Sequence, residues 1–144
     1  MRKLVLVALL ALLTGCATCG RGTTGIEQRK PHAGGFCEAT IAVEGDFGFE
    51  GIGHFNHCFY GNRDFGQCHG MSVAPSGSMA LWQESSTGAL VIYRPSWAQP
   101  SVLLKSFPSP SALESTVWDE DAGSVTVKAW EHPETHRLVI PGGS

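Results

Sequence analysis

The stretch Glu38–Glu44, EATIAVE, decides the fold class, because its apolar and polar residues alternate along the chain. Apolar residues occupy positions 39, 41 and 43, and polar residues dominate the positions between them. This period of two residues predicts a β-strand with one buried face. Gly45-Asp46 follows at once and predicts a turn.

The same pattern recurs outward from this stretch, in short segments bounded by turn residues. The other predicted strands are 47–60 (with a bend at Gly51 and Gly53), 71–74, 78–84, 89–94, 101–107, 125–130 and 135–140. Helical patterns are nearly absent, although Ser111–Glu114 fits a capping box and predicts one or two helical turns. About eight short antiparallel strands predict an all-β fold, a small sandwich or barrel.

The N-terminal sequence, MRKLVLVALLALLTGCATCG, has the layout of an export signal. Two basic residues precede the apolar run Leu4–Leu13, which is too short to cross a bilayer, since a crossing needs about 20 apolar residues. The end of this run, Leu13-Thr14-Gly15-Cys16, resembles the lipobox of bacterial lipoproteins. In that family the signal is cut before the cysteine, whose sulfur and new amino group carry fatty acyl chains. The resemblance therefore implies a signal peptide over 1–15 and a lipid on Cys16 that makes the membrane a partner.

The resemblance also implies a location in the bacterial cell envelope. In enteric members of the family, a residue other than Asp after the cysteine, here Ala17, directs the protein to the outer membrane, facing the periplasm. Residues 16–35 are polar and glycine-rich and predict a lipidated flexible tether. A single β domain is then expected over 36–140, with a short tail over 141–144.

The charge of the chain excludes one class of partner. Removing residues 1–15 removes two basic residues and no acidic one, so that the formal net charge goes from −3 to −5. A mildly acidic domain with scattered charges lacks the basic footprint that nucleic acid requires. No nucleic-acid partner is expected.

The stretch His54–Gly70, HFNHCFYGNRDFGQCHG, holds three histidines and two cysteines. In an exported chain, paired cysteines are normally disulfides. Cys58 and Cys68 bracket a turn-rich linker of nine residues, which favours this pair and leaves Cys19 and Cys37 for each other. Four cysteines allow three pairings, however, and the sequence does not choose among them.

The alternative interpretation of this stretch is a zinc or copper site that uses His54, His57 and His69. Imidazole and thiolate suit these metals, but the spacing matches no standard finger or ribbon, and oxidised cysteines cannot serve as thiolate ligands. A cysteine nucleophile would need a free, activated thiolate, and the chain has no Gly-x-Ser-x-Gly elbow. The sequence therefore predicts a protein that is not an enzyme and uses no cofactor.

Two tryptophans are candidates for a binding surface. By alternation Trp130 lies on the face of Lys128, opposite the valines of its strand, and Trp97 lies in a proline-rich segment. Exposed aromatic residues commonly anchor contacts with partners. The leading hypothesis is a lipid-anchored, non-enzymatic envelope protein whose β domain binds another protein or a cell-wall component. A metal-binding lipoprotein is the alternative.

Overall fold

The computed structural model of the chain describes residues 19–46, 50–107 and 113–142, and within them the fold is all-β, as predicted. In these three ranges, ten antiparallel strands form two sheets, one in the order β1-β2-β3-β4-β5-β6-β7 and one in the order β10-β9-β8. The strands are β1 (Ile26–Pro31), β2 (Phe36–Asp46), β3 (Glu50–Tyr60), β4 (Arg63–Val73), β5 (Ala80–Glu84), β6 (Leu90–Tyr93), β7 (Ser101–Leu104), β8 (Leu113–Asp119), β9 (Ser124–Ala129) and β10 (Thr135–Val139).

The prediction that residues 16–35 form a flexible tether is wrong for residues 19–35, which include strand β1. Residues 26–31 pair with β2, and the Ala42 N–H donates to the Gly25 carbonyl at 2.9 Å. β1 is an edge strand whose side chains are almost all exposed, so its sequence, IEQRKP, shows no alternation. Charged residues and proline are typical of edge strands, because they discourage pairing with other chains. The described part of the domain therefore starts at Cys19, and residues 16–18 lie outside the described ranges.

Strands β2 and β3 form a long hairpin. Each has 11 residues, and their register is continuous from Phe36 opposite Tyr60 to Asp46 opposite Glu50. At about 3.3 Å per residue, the hairpin is about 35 Å long. The strand predicted at 38–44 is confirmed, and residues 47–49 at the tip lie outside the described ranges.

Strand β4 carries the chain from one half of the large sheet to the other. The register shifts near Phe59 on the side of β3 and near Met71 on the side of β5. Bulges of this kind bend a strand and let the sheet turn a corner. The turn Ala33–Gly35 lies against the β4–β5 connection, where any side chain added to Gly34 would collide with the backbone of Gly77.

The main core lies between strands β4–β7 and the three-stranded sheet. β5 and β6 are buried along almost their whole length. Ser72 on β4 joins the two sheets, since its hydroxyl lies 2.6 Å from that of Thr116 and accepts a hydrogen bond of 3.0 Å from the Trp118 indole. Val125 and Val127, which are fully buried, face this interior from β9.

A chain of aromatic rings from the large sheet forms part of the main core or packs against it. Neighbouring ring centroids are 4.7–6.1 Å apart along the series Phe36, Tyr60, Tyr93, Phe65 and Trp82. The Arg63 guanidinium lies 4.6 Å from the centroid of the Phe65 ring and donates to the Ala98 carbonyl at 2.9 Å. This arginine thereby ties the 94–100 loop to the sheet.

The predicted helical turn at 111–114 is wrong for the residues that the structure describes. Leu113 and Glu114 begin β8, and Leu113 pairs with Ala129 of β9. Ser111 and Ala112 lie outside the described ranges. Pairing with β9 and burial against the core outweigh a local capping pattern, as tertiary context commonly does.

Candidate functional site

The disulfide pairing that the sequence favoured, among the three that four cysteines allow, is present in the structure. Cys19 is bonded to Cys37 and Cys58 to Cys68, with Cα–Cα distances of 6.2 and 5.9 Å. The second bond joins β3 to β4 inside the main core, whereas the first belongs to a smaller cluster around Phe59. Cys16, the predicted lipid attachment site, lies outside the described residues.

The segment Cys19–Gly25, here called the anchor loop, is part of the folded domain. The Gly20 N–H donates to the Gly61 carbonyl, and the Arg21 N–H donates to Asn62 Oδ1, both at 2.9 Å. Arg29 Nε donates to the Cys19 carbonyl at 2.8 Å. These bonds and the disulfide fix the anchor loop to β1, β2 and the β3–β4 turn.

The three histidines proposed as metal ligands do not come together. His54 Nδ1 lies 3.0 Å from a Glu27 carboxylate oxygen, and His57 Nδ1 lies 3.0 Å from Asp64, on the opposite face of β3. His69 lies elsewhere, beside Glu84. Across the ranges that the structure describes, no group of three or more His, Cys, Asp or Glu side chains is placed to hold a metal ion. The four cysteines of these ranges are oxidised, so the geometry gives the zinc or copper interpretation no support.

Glu38 occupies a polar site that the sequence did not indicate. Glu38 is only 8% exposed, and its carboxylate accepts hydrogen bonds from His32 Nε2 at 2.7 Å and Asn56 Nδ2 at 3.1 Å. Burial alone would raise the pKa of Glu38, but these hydrogen bonds and the electrostatic attraction of His32 and Lys30 outweigh it and leave the pKa below its usual value. Glu38 is therefore a buried, ionised carboxylate.

The site around Glu38 opens into a hollow of about 260 Å³. Its lining is polar throughout and comes from β1, β2 and β3: Gln28, Lys30, Glu38, Thr40 and Asn56. Alternation placed Glu38 on the polar face of β2, which reads as solvent-facing in the sequence. The residue is buried because β1, absent from the predicted domain, pairs alongside it.

A second hollow, of about 340 Å³, lies where β4 and β5 meet, and its lining includes His69, Glu84 and Ser85. These are residue types that nucleophilic catalysis uses. The Ser85 hydroxyl, however, is buried and has no hydrogen-bond partner in the described part of the chain. Since an activated serine needs a base within hydrogen-bond reach, the arrangement does not form a nucleophile and base pair.

The two candidate tryptophans differ in exposure. Trp97 is 7% exposed and belongs to the main core, so its proposed place on a binding surface is wrong. Trp130 is 55% exposed and is the first residue beyond β9, in a turn where the His132 N–H donates to the Ala129 carbonyl at 3.3 Å. Alternation placed Trp130 on the outer face of its sheet as a candidate, and its side chain is exposed in the structure.

The outer face of the three-stranded sheet presents further exposed apolar side chains. Val117 on β8 is 64% exposed and Val139 on β10 is 79% exposed. By register both lie on the face of Thr126, opposite the buried valines of β9. Lys128 forms an ion pair of 2.8 Å with Glu114 on the same sheet. The outer face of the three-stranded sheet thus combines exposed apolar side chains with charged groups.

Comparison with known proteins gives no relative. No family model matches the chain, and no curated protein or solved structure matches it. Nowhere in the described ranges does a helix have the length and apolar character needed to span a bilayer.

Proposed function

We propose that this protein is a lipid-anchored bacterial envelope protein whose β domain is a non-enzymatic binding module. Its lipid would be carried by Cys16, and the domain would face the periplasm from the outer membrane. The partner would be another envelope protein or a cell-wall component, bound at the outer face of the three-stranded sheet. The observation that carries the binding proposal is the exposure of Trp130, at 55%.

Two features support the location. The lipobox resemblance at residues 13–16 implies export and acylation. In addition, all four cysteines of the described ranges are paired, and stable disulfides are typical of compartments outside the reducing cytosol. Two or more acyl chains on one residue would hold the protein on a membrane stably, because each buried methylene contributes about 0.8 kcal/mol.

The binding proposal is supported by the contrast between the two sheets. The described aromatic side chains of the large sheet are buried or half-buried, although Val43, Ile52 and Val102 of that sheet are 42–54% exposed. Trp130, directly after β9 of the small sheet, is an aromatic side chain that is 55% exposed, and Val117 and Val139 of that sheet are exposed as well. Because a tryptophan side chain has only two rotatable torsions, fixing it on binding costs little conformational entropy. Tryptophan is accordingly enriched among the residues that dominate binding energies.

The anchor is tested by Cys16→Ser, with Thr18→Ser as a matched control that leaves the lipobox intact. In the native host, the control should remain in the membrane fraction and the cysteine variant should not, or should keep its signal peptide. Unchanged fractionation of Cys16→Ser would refute the anchor.

The binding face is tested by a photo-crosslinking amino acid at position 130 in cells, with position 102 as the matched control. Val102 is 54% exposed but lies on β7 of the other sheet. Position 130 should give discrete adducts that position 102 does not give. Trp130→Ala should weaken binding of the purified adduct partner about 30-fold, which corresponds to about 2 kcal/mol. Identical adducts from both positions, or none from either, would contradict the proposal.

A further inference from the structure

The distance between the proposed lipid and the folded domain is very short. Only Ala17 and Thr18 separate Cys16 from Cys19. Consecutive Cα atoms lie 3.8 Å apart, so the Cα atom of Cys19 can be no more than about 11 Å from that of Cys16. Cys19 is bonded to Cys37, a buried residue of β2. The first fixed point of the domain is therefore three residues from the lipid.

The headgroup layer of the bilayer accounts for most of the distance between Cys16 and Cys19. Acyl chains on a cysteine lie in the hydrocarbon region, and the headgroup layer above it is about 5–8 Å thick. A chain that leaves the hydrocarbon at Cys16 thus reaches Cys19 at or just above the outer edge of the headgroups. A flexible tether of 20 residues would instead span roughly 25 Å on average.

The anchor loop cannot act as a flexible tether, because it is fixed to the folded domain. Gly20 and Arg21 are hydrogen-bonded to the β3–β4 turn, and the Cys19 carbonyl is hydrogen-bonded to Arg29. We infer that the domain is clamped on the bilayer, with the anchor loop and the adjoining β3–β4 turn against the phospholipid headgroups. This inference rests on the lipid anchor proposed above.

The chemistry of the anchor loop suits a phospholipid surface. Its sequence, CGRGTTG, contains one exposed arginine, two threonines and no acidic residue, although the mature chain carries a net negative charge. An arginine guanidinium binds phosphate oxygens well, often through two parallel hydrogen bonds. Arg21, two residues from Cys19, is placed to contact the phosphates of anionic headgroups.

The clamp is tested with the acylated full-length protein, purified from its host and reconstituted in vesicles of phosphatidylcholine and phosphatidylglycerol. A fluorescent amino acid replaces Thr24, an exposed residue of the anchor loop, and nitroxide-labelled headgroups act as a short-range quencher. The matched control carries twelve Gly and Ser residues inserted between Thr18 and Cys19, which adds roughly 20 Å of average reach. Both proteins are checked for Cys16 acylation and for both disulfides by mass spectrometry.

The native spacing should give several-fold stronger quenching than the insertion variant. Equal quenching of the two acylated proteins would overturn the clamp and leave the lipid anchor standing. A product without acyl chains on Cys16 would overturn the clamp and the anchor together.

Discussion

Removing the disulfide between Cys58 and Cys68 should destabilise the domain more than any loss of surface contacts would. The bond closes a loop with a sequence separation of 10, and the chain-entropy relation assigns about 2.7 kcal/mol to a loop of that length. Both residues are at most 1% exposed, so that Cys58→Ala with Cys68→Ala also leaves two small voids at about 1 kcal/mol each. The total expected loss is about 4 to 5 kcal/mol.

Denaturant unfolding of the chain carrying Cys16→Ser measures this loss without interference from lipid. The slope of the unfolding free energy against denaturant should also rise, because the unfolded state without the cross-link is more expanded. Cys19→Ala with Cys37→Ala is the matched control, and its effect on hydrogen exchange should be largest in the anchor loop. A loss below about 1 kcal/mol for the 58–68 pair would refute the chain-entropy reasoning.

Three further changes test separate parts of the structure. Glu38→Gln should cost about 1–3 kcal/mol at neutral pH, because it disrupts a buried hydrogen-bonded charge. Folding lowers the pKa of Glu38, so the stabilisation by its ionised form is complete above the unfolded pKa of 4.5 and is lost as the pH falls through the lower folded pKa. The difference in unfolding free energy between the wild-type protein and Glu38→Gln should therefore become smaller in acid. A difference that stays constant from pH 7 to pH 2 would contradict the assignment. Gly34→Ala should lower the free energy of unfolding by more than about 2 kcal/mol in thermal unfolding, because its φ of 70° is combined with a collision with the backbone of Gly77. Gly22→Ala, at φ 89° with open space around it, should lower it by only about 1 kcal/mol. Equal losses would show that the close approach of Gly34 to Gly77 is unimportant. Trp97→Ala should cost about 3–5 kcal/mol and Trp130→Ala less than about 0.5 kcal/mol in the same assay, and the reverse order would contradict the burial of the two rings.

Strands β5, β6 and β9 were predicted from local patterns that match their burial, because they alternate or are continuously apolar. The alternation of β2 predicted the strand but not the burial of every residue, since Glu38 is buried and Val43 is 42% exposed. The sequence analysis did not predict β1 and β8, for two different reasons. β1 is a charged edge strand that buries almost nothing, and β8 begins where a local capping pattern favoured a helix.

Strand β4 was predicted only in part, at 71–74, because its first half reads as turns. Gly66 and Gly70 interrupt the pattern, and both have positive φ values, 94° and 70°. In the structure these glycines belong to a strand that bends between the two halves of the large sheet. Whether a glycine marks a turn or a bent strand depends on pairing partners that are distant in sequence.

The candidate sites show the same limit. Compartment and spacing favoured the observed disulfide pairing without excluding the other two, and alternation placed Trp130 on the outer face of its sheet, where it is exposed. The burial of Glu38 and of Trp97 did not follow from any local pattern. Glu38 is covered through the pairing of β1 with β2, and Trp97 through a loop held by Arg63. Both depend on contacts that the sequence alone does not specify.

Intact-mass spectrometry of the protein from its native host, with free thiols alkylated before any reduction, tests the central claim most directly. Export and lipid anchoring predict a chain that begins at Cys16, carries acyl chains there and shows no alkylation at its four remaining cysteines. A chain that begins at Met1, lacks acyl chains and is alkylated at Cys19, Cys37, Cys58 and Cys68 would contradict the account.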